Sequence, residues 1–219
     1  MSQCTSCRDH LHVCARNVPI FASLGPDELM EVNNLIRSVE YEKGELLFSE
    51  GDIGANLYIV RSGRIKLYTV SADGRQQILR ILEPGDFFGE LALFQDAPQN
   101  CFAEAMESSQ VCLLGRSDMR ALLNRKASVA AALLQAISAR LAQAARFIGD
   151  LALKSVEERL VSWLMMEAET GIDREGEIEI RSSLSREELA HLLGTTIETV
   201  SRRLNALQAD GLLTLQGHR

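Results

Sequence analysis

The stretch from Ser183 to Leu213, SLSREELAHLLGTTIETVSRRLNALQADGLL, constrains this chain more than any other. Ser185 followed by Glu188 has the spacing of a capping box, in which each side chain takes up the other residue's unpaired backbone N–H. The spacing predicts a short helix after Ser185, with Leu189, Leu192 and Leu193 on its buried face. Gly194 then stands where a helix needs a residue that tolerates φ > 0 in order to stop. Thr196 is placed to cap a second helix, whose inner face carries Val200, Leu204 and Leu207. Two short helices joined by a Gly-containing turn form a helix-turn-helix. The second helix of that motif enters the DNA major groove.

The outward residues of the second helix separate reading from packing. Ile197, Glu198, Ser201, Arg202 and Asn205 fall on one face. Arg holds guanine O6 and N7 with two hydrogen bonds, Glu accepts from cytosine N4, and Ser suits either strand. The candidate DNA contacts are Thr196, Glu198, Thr199, Ser201, Arg202, Arg203 and Asn205. The bland alternative is a helical hairpin with a solvated charged face, a non-DNA-binding interaction module. Caps and turn together favour double-stranded DNA as the partner.

The chain's net charge of −7 is unusual for such a partner. From Thr195 onward, however, Arg202, Arg203 and Arg219 oppose only Glu198 and Asp210. Phosphate attraction must therefore come from a local patch and from backbone N–H groups. A hydrophobic content of 46% over 219 residues supports two packed domains. No apolar run approaches the ~18 residues of a membrane span. No signal peptide precedes the first cysteine, so a cytoplasmic protein without a membrane partner is expected. Nothing in the chain pairs a nucleophile with a base, cradles a phosphate in a Gly-rich loop or sets two carboxylates together. An enzyme is not expected.

Cys4, Cys7 and Cys14 crowd the first residues, and Cys101 and Cys112 bring the total to five. In a cytosolic chain such a cluster suggests metal or redox chemistry more than a structural disulfide. An iron–sulfur cluster takes four thiolates, which one distant cysteine would complete. His10 and His12 also allow a mixed Cys and His zinc site. A thiol switch, or exposed thiols with no ligand, stay open beside these.

Downstream, Pro26 suits the first turn of a short helix. From Val39 to Leu114 the pattern is that of short strands broken by Gly44, Gly51, Gly63, Gly74 and Gly85, as in a compact antiparallel barrel or sandwich. Asp73-Gly74 between β-rich flanks signals a hairpin. Gly89 to Phe94 departs from the pattern and reads as one helical turn facing the barrel interior. Next, Ala130, Leu134, Ile137, Leu141, Ala144, Ile148 and Leu151 repeat at spacings of four and three, the seam of a coiled coil. Leu133, Phe147 and Leu153 lie off that seam and are expected to pack on the barrel. The seam predicts a homodimer, which suits a motif that reads two half-sites. A further helix from Ser155 to about Thr170 and a turn-and-strand segment lead into the helix-turn-helix.

That order, with EPGDFFGELALF (Glu83 to Phe94), VEERL (Val156 to Leu160) and ETVSRRL (Glu198 to Leu204), resembles the cAMP receptor protein/FNR family of bacterial transcription regulators. The resemblance covers essentially the whole chain. It implies an α+β fold: a cyclic-nucleotide-binding-type β-roll at 1–116, a dimerisation helix at 117–153 and a winged helix-turn-helix at 154–219. Related chains continue past the GLL strand into a second wing strand, so a shortened wing is expected here. The resemblance further implies signal relay along the dimer helix, RNA polymerase contacts (with Ser71 to Gln77 one candidate surface) and TTGAT-like inverted repeats.

Gly89, Glu90, Asn100 and Cys101 mark the effector pocket of that family. In its cAMP-binding members, Arg-Ser stands where this chain has Asn100-Cys101. Loss of that cation removes a charge-assisted contact worth roughly 1.5–3 kcal/mol, which argues against cyclic nucleotide. The oxygen-sensing FNR branch instead resembles this chain in its cysteines, three N-terminal and one at the position of Cys112. The resemblance therefore implies Cys4, Cys7, Cys14 and Cys112 as ligands of a [4Fe–4S] cluster. Zinc, or a disulfide switch without a cofactor, remains the alternative. Two departures bear on this: the gap from Cys7 to Cys14 is one residue longer than in the familiar oxygen sensor, and Ala144 stands near its charge-bearing helix position. Cys101 reads as a small buried hydrophobe.

Overall fold

Gly-punctuated strands build two four-stranded sheets in the first part of the chain. The computed structural model describes residues 15, 18–174, 177–180, 182 and 184–216, so Cys4, Cys7, Cys14, His10 and His12 lie outside the described residues. A helix α1 (Pro26–Leu35) leads into β1 (Ile36–Tyr41), β2 (Leu46–Phe48), β3 (Asn56–Ser62), β4 (Ile65–Val70) and β5 (Gln76–Leu82). After β6 (Phe87–Phe88), the short turn α2 (Leu91–Phe94), β7 (Phe102–Ala105) and β8 (Ser109–Gly115) complete a β-roll. Its sheets have the orders β1-β8-β3-β6 and β2-β7-β4-β5.

Alternation along the central strands decides what each residue meets. On β3, Tyr58 and Val60 join the cluster between the sheets, while Leu57 and Ile59 face a second cluster made with helices. On β8, Val111 and Leu113 take the first side, and Cys112 and Leu114 the second. That second cluster also holds Ala15, Val18, Ile20 and Phe21, with Met119 and Leu122 of α3 (Arg116–Arg125) and Val129 and Leu133 of α4 (Ala127–Leu153). The stretch from Ser117 thus holds two helices rather than one. The break falls at Lys126, whose backbone is extended and whose ammonium pairs with Glu28 of α1.

Helix α4 runs 27 residues, about 40 Å. Leu133 packs inward as expected, but Leu153 is 87% exposed and makes no such packing. Leu134, Leu141 and Ile148 stand one heptad apart and are 65%, 71% and 66% exposed. Ile137, in contrast, is half-buried against its own core.

Two compact units divide the chain. Among the described residues, those up to Thr69, with Leu79 to Leu141, make the first. Val70–Ile78, with the residues from Ala142 onward, make the second. The division falls inside α4, and the hairpin tip counts with the C-terminal part.

In the second unit, α5 (Val156–Ala168) begins on a capping box between Ser155 and Glu158. A two-stranded sheet, β9 (Ile172–Arg174) with β10 (Glu177–Glu179), precedes α6 (Arg186–Leu193) and α7 (Ile197–Ala209). Leu160 and Trp163 of α5 close a core with Leu189, Ala190, Leu193, Val200, Leu204 and Leu207. Beyond α7, residues 213–216 form no strand; Leu213 and Leu215 pack on that core instead.

Candidate DNA interface, effector pocket and cysteine site

The helix-turn-helix forms by local chemistry. Ser185 Oγ accepts from the Glu188 N–H at 3.1 Å, and Glu188 Oε2 accepts from the Ser185 N–H at 2.7 Å. Gly194 ends α6 at φ 64°, ψ 48°, a conformation that a Cβ disfavours. Thr196 Oγ1 then accepts from the Thr199 N–H at 3.3 Å and starts α7. With Val200, Leu204 and Leu207 buried, Ile197, Glu198, Arg202 and Asn205 are left exposed and Ser201 partly so. Hydrogen bonds from its own backbone N–H and from the Thr196 hydroxyl hold the Glu198 carboxyl below the usual carboxylate range. Glu198 thus stays ionised and accepts only, as recognition of cytosine N4 requires.

Two arginines join the helices of this unit. Arg203 Nη1 lies 2.9 Å from Glu157 Oε2, so this arginine ties α7 to α5 within its own unit. Arg159, singled out by sequence only as part of VEERL, donates from Nε to Leu193 O at 2.9 Å and from Nη1 to Lys154 O at 2.7 Å. It caps the carbonyl ends of α6 and of the segment after α4. Its spacing from either partner carries no periodic signal.

In the β-roll, Gly89 has φ 81°, and a Cβ there would lie 2.8 Å from Asn56 O. Glu90 pairs with Arg140 of α4 at 2.8 Å, the two side chains 20% and 14% exposed. The Arg140 guanidinium lies 3.7 Å over the Phe87 ring centre and also donates to Phe87 O. Arg80 is half-buried nearby; burial first, then the like charge of Arg140, lowers its pKa. Two cationic groups therefore stand beside Glu90. Positions 100 and 101 bring none, but Arg140 and Arg80 arrive from elements remote in sequence, and Glu90 neutralises one of them. Asn100 is exposed and adds no buried donor.

Cys101 is 7% exposed in the inter-sheet core. Burial, with the charges of Glu50 and Glu90 adding to it, pushes its thiol up to about 11. We expect native protein at pH 8 to leave Cys101 unlabelled by iodoacetamide while unfolded protein labels fully, read by peptide mass spectrometry.

Cys112 is fully buried on β8, opposite Ser38 of β1 and Ile59 of β3. It shares its cluster with Ala15, also fully buried, the residue that follows Cys14.

Comparison with known proteins agrees with this geometry. A family model described as "Cyclic nucleotide-binding domain" matches residues 38–126. A second, described as "Crp-like helix-turn-helix domain", matches residues 158–219. The chain is 32% identical to the cyclic AMP receptor protein of Thermus thermophilus, over 90% of this chain and 88% of that one. It is 31% identical to the anaerobic regulatory protein of Pasteurella multocida, over 98% of this chain and 80% of that one. The solved structure of FixK2 from Bradyrhizobium japonicum superposes with a TM-score of 0.72 at 29% identity, covering 84% and 90% of the two chains. The chain belongs to the CRP/FNR family of DNA-binding transcription regulators.

For a CRP/FNR regulator, α6 and α7 are the DNA-binding helices, and the roll is its cyclic-nucleotide-binding-type domain. Its relatives are transcription regulators and not enzymes. Among the described residues, no helix is long and apolar enough to cross a membrane.

Proposed function

We propose that this CRP/FNR regulator is a cytoplasmic homodimer that senses oxygen or redox state through Cys4, Cys7, Cys14 and Cys112. A [4Fe–4S] cluster held by those thiolates is the chemistry that suits the set best. One observation carries the reading: Ala15, the residue after Cys14 in sequence, is fully buried in the core cluster that also holds Cys112. The same cluster includes Val129 and Leu133 of α4. A change at Cys112 therefore presses on the helix that carries the seam, a route from signal to a two-state dimer interface. The name of the Pasteurella relative, anaerobic regulatory protein, points the same way.

As a dimer the protein would present two copies of α7 to an inverted repeat, with TTGAT-like half-sites and RNA polymerase as a further partner. Zinc or a disulfide would make the same link between the N-terminal segment and β8. A small-molecule effector in the roll is the second reading, favoured by the Arg80 and Arg140 guanidiniums beside Glu90. Cyclic nucleotide fits less well, because Asn100 and Cys101 supply no cation and the Arg140 guanidinium is already paired with Glu90.

Protein purified without oxygen is expected to be brown, to contain about four irons per monomer, and to lose colour and operator binding in air. Colourless protein whose operator affinity follows dithiothreitol and diamide would replace the cluster with a thiol switch. Stoichiometric zinc in place of iron would replace it with a structural metal. Unchanged affinity after all four cysteines become Ser would reject the sensor altogether.

A further inference from the structure

Every α-helix leaves its last carbonyls without helical donors. At the end of α6 they are taken up by side chains from elsewhere in the same unit. Gln77 Nε2 donates to His191 O at 2.8 Å and lies 3.2 Å from Leu192 O. It also lies 3.0 Å from the neighbouring Ile78 O, so its two N–H groups are shared among three carbonyls. Arg159 takes the next carbonyl, that of Leu193. Gln77 belongs to the hairpin tip, residues 70–78, which forms one compact unit with the helices after Ala142.

Gly194 makes the seat for this amide. A Cβ on it would lie 2.8 Å from Gln77 Oε1 and 3.1 Å from Leu151 Cδ2. The glycine therefore serves twice, turning the chain at positive φ and leaving room for Gln77. Leu151, read from sequence as part of the dimer seam, is half-buried beside this turn.

We propose that Gln77 is a positioning residue for DNA recognition. Its amide fixes the last turn of α6, and through Gly194 it fixes the first turn of α7, where Thr196 and Glu198 stand. With the amide seated, Ile197, Glu198, Arg202 and Asn205 remain exposed, so the contact leaves the reading face open. The contact needs a donor: an acceptor would meet carbonyl oxygens at the negative end of the helix dipole. This role rests on α7 being the recognition helix.

The test uses full-length protein and its Gln77→Leu, Gln77→Glu and Gln77→Lys variants. Anisotropy titrations at fixed salt compare a duplex carrying the inverted repeat with a scrambled duplex. Gln77→Leu and Gln77→Glu are expected to weaken cognate binding about fivefold or more, the scale of one or two lost hydrogen bonds. Scrambled DNA, held through phosphates, should change less than about twofold. Gln77→Lys keeps a donor and should stay near wild type. Amide exchange over residues 194–199 should quicken in Gln77→Leu and not in Gln77→Lys. A general loss of folding would lower both duplexes together and leave their ratio unchanged. A wild-type ratio in Gln77→Leu, tighter binding by it, or equal loss in all three variants would overturn the proposal. If the wild type itself fails to tell the two duplexes apart, the reading of α7 fails instead.

Discussion

Replacing Leu134 and Leu141 together with Glu is expected to leave the protein monomeric at concentrations where the wild type is a dimer. Both side chains are largely exposed within one protomer, one heptad apart, with Ile148 a heptad further on. Isolated apolar side chains on a surface are ordinary, but three in register along one helix are what the proposed dimer seam requires. A dimer would bury four of these leucines. At ~1.5 kcal/mol each, the pair of substitutions removes about 6 kcal/mol of association, roughly four powers of ten in dissociation constant. The added carboxylates also face their symmetry mates. Ile137 is a poorer target, because it is half-buried in its own core and its loss would confuse dimerisation with folding. Sedimentation velocity and operator binding should fail together in the variant. Wild-type protein that sediments as a monomer while binding its operator fully would remove the dimer.

Arg202→Ala is expected to lose ~1–3 kcal/mol of binding on a TTGAT-type inverted repeat, with relaxed preference at the contacted guanine. Arg202 is exposed on α7 beside the exposed, ionised Glu198. Arg203, one residue on, is held by Glu157. Arg203→Ala should therefore act mainly by loosening α7 from α5. Its effect on cognate and scrambled duplexes should be nearly equal, unlike that of Arg202→Ala. Selection of bound sequences from a randomised half-site measures the difference directly. Equal losses on cognate and scrambled DNA for Arg202→Ala would make that residue a phosphate contact.

The parts of this protein legible in its sequence are those whose backbone needs are met within a few residues. The Ser185–Glu188 box, the αL turn at Gly194 and the Thr196 cap each complete hydrogen bonds that the adjoining helix leaves open. Asp73-Gly74 closes the β4–β5 hairpin for the same local reason, Gly74 lying at φ 82°. The seam on α4 was legible because helical period alone brings Leu134, Leu141 and Ile148 to one face. Which of its members stay exposed was not: Ile137 and Leu151 turn out half-buried in their own units.

Tertiary structure alone decided the pairs that join distant elements. Glu90 meets Arg140 across fifty positions because α4 returns over the β-roll, and no periodicity in either segment signals it. Cys112 shares a cluster with Ala15 only because β8 lies between β1 and β3 and turns alternate residues toward the helices. Gln77 reaches His191 because the hairpin tip packs with the C-terminal unit. Local chemistry sets where helices start and stop, since those donors and acceptors are neighbours in the chain. Strand order and helix docking set which charged groups and apolar segments come together, since only the buried apolar surface of the whole unit selects them.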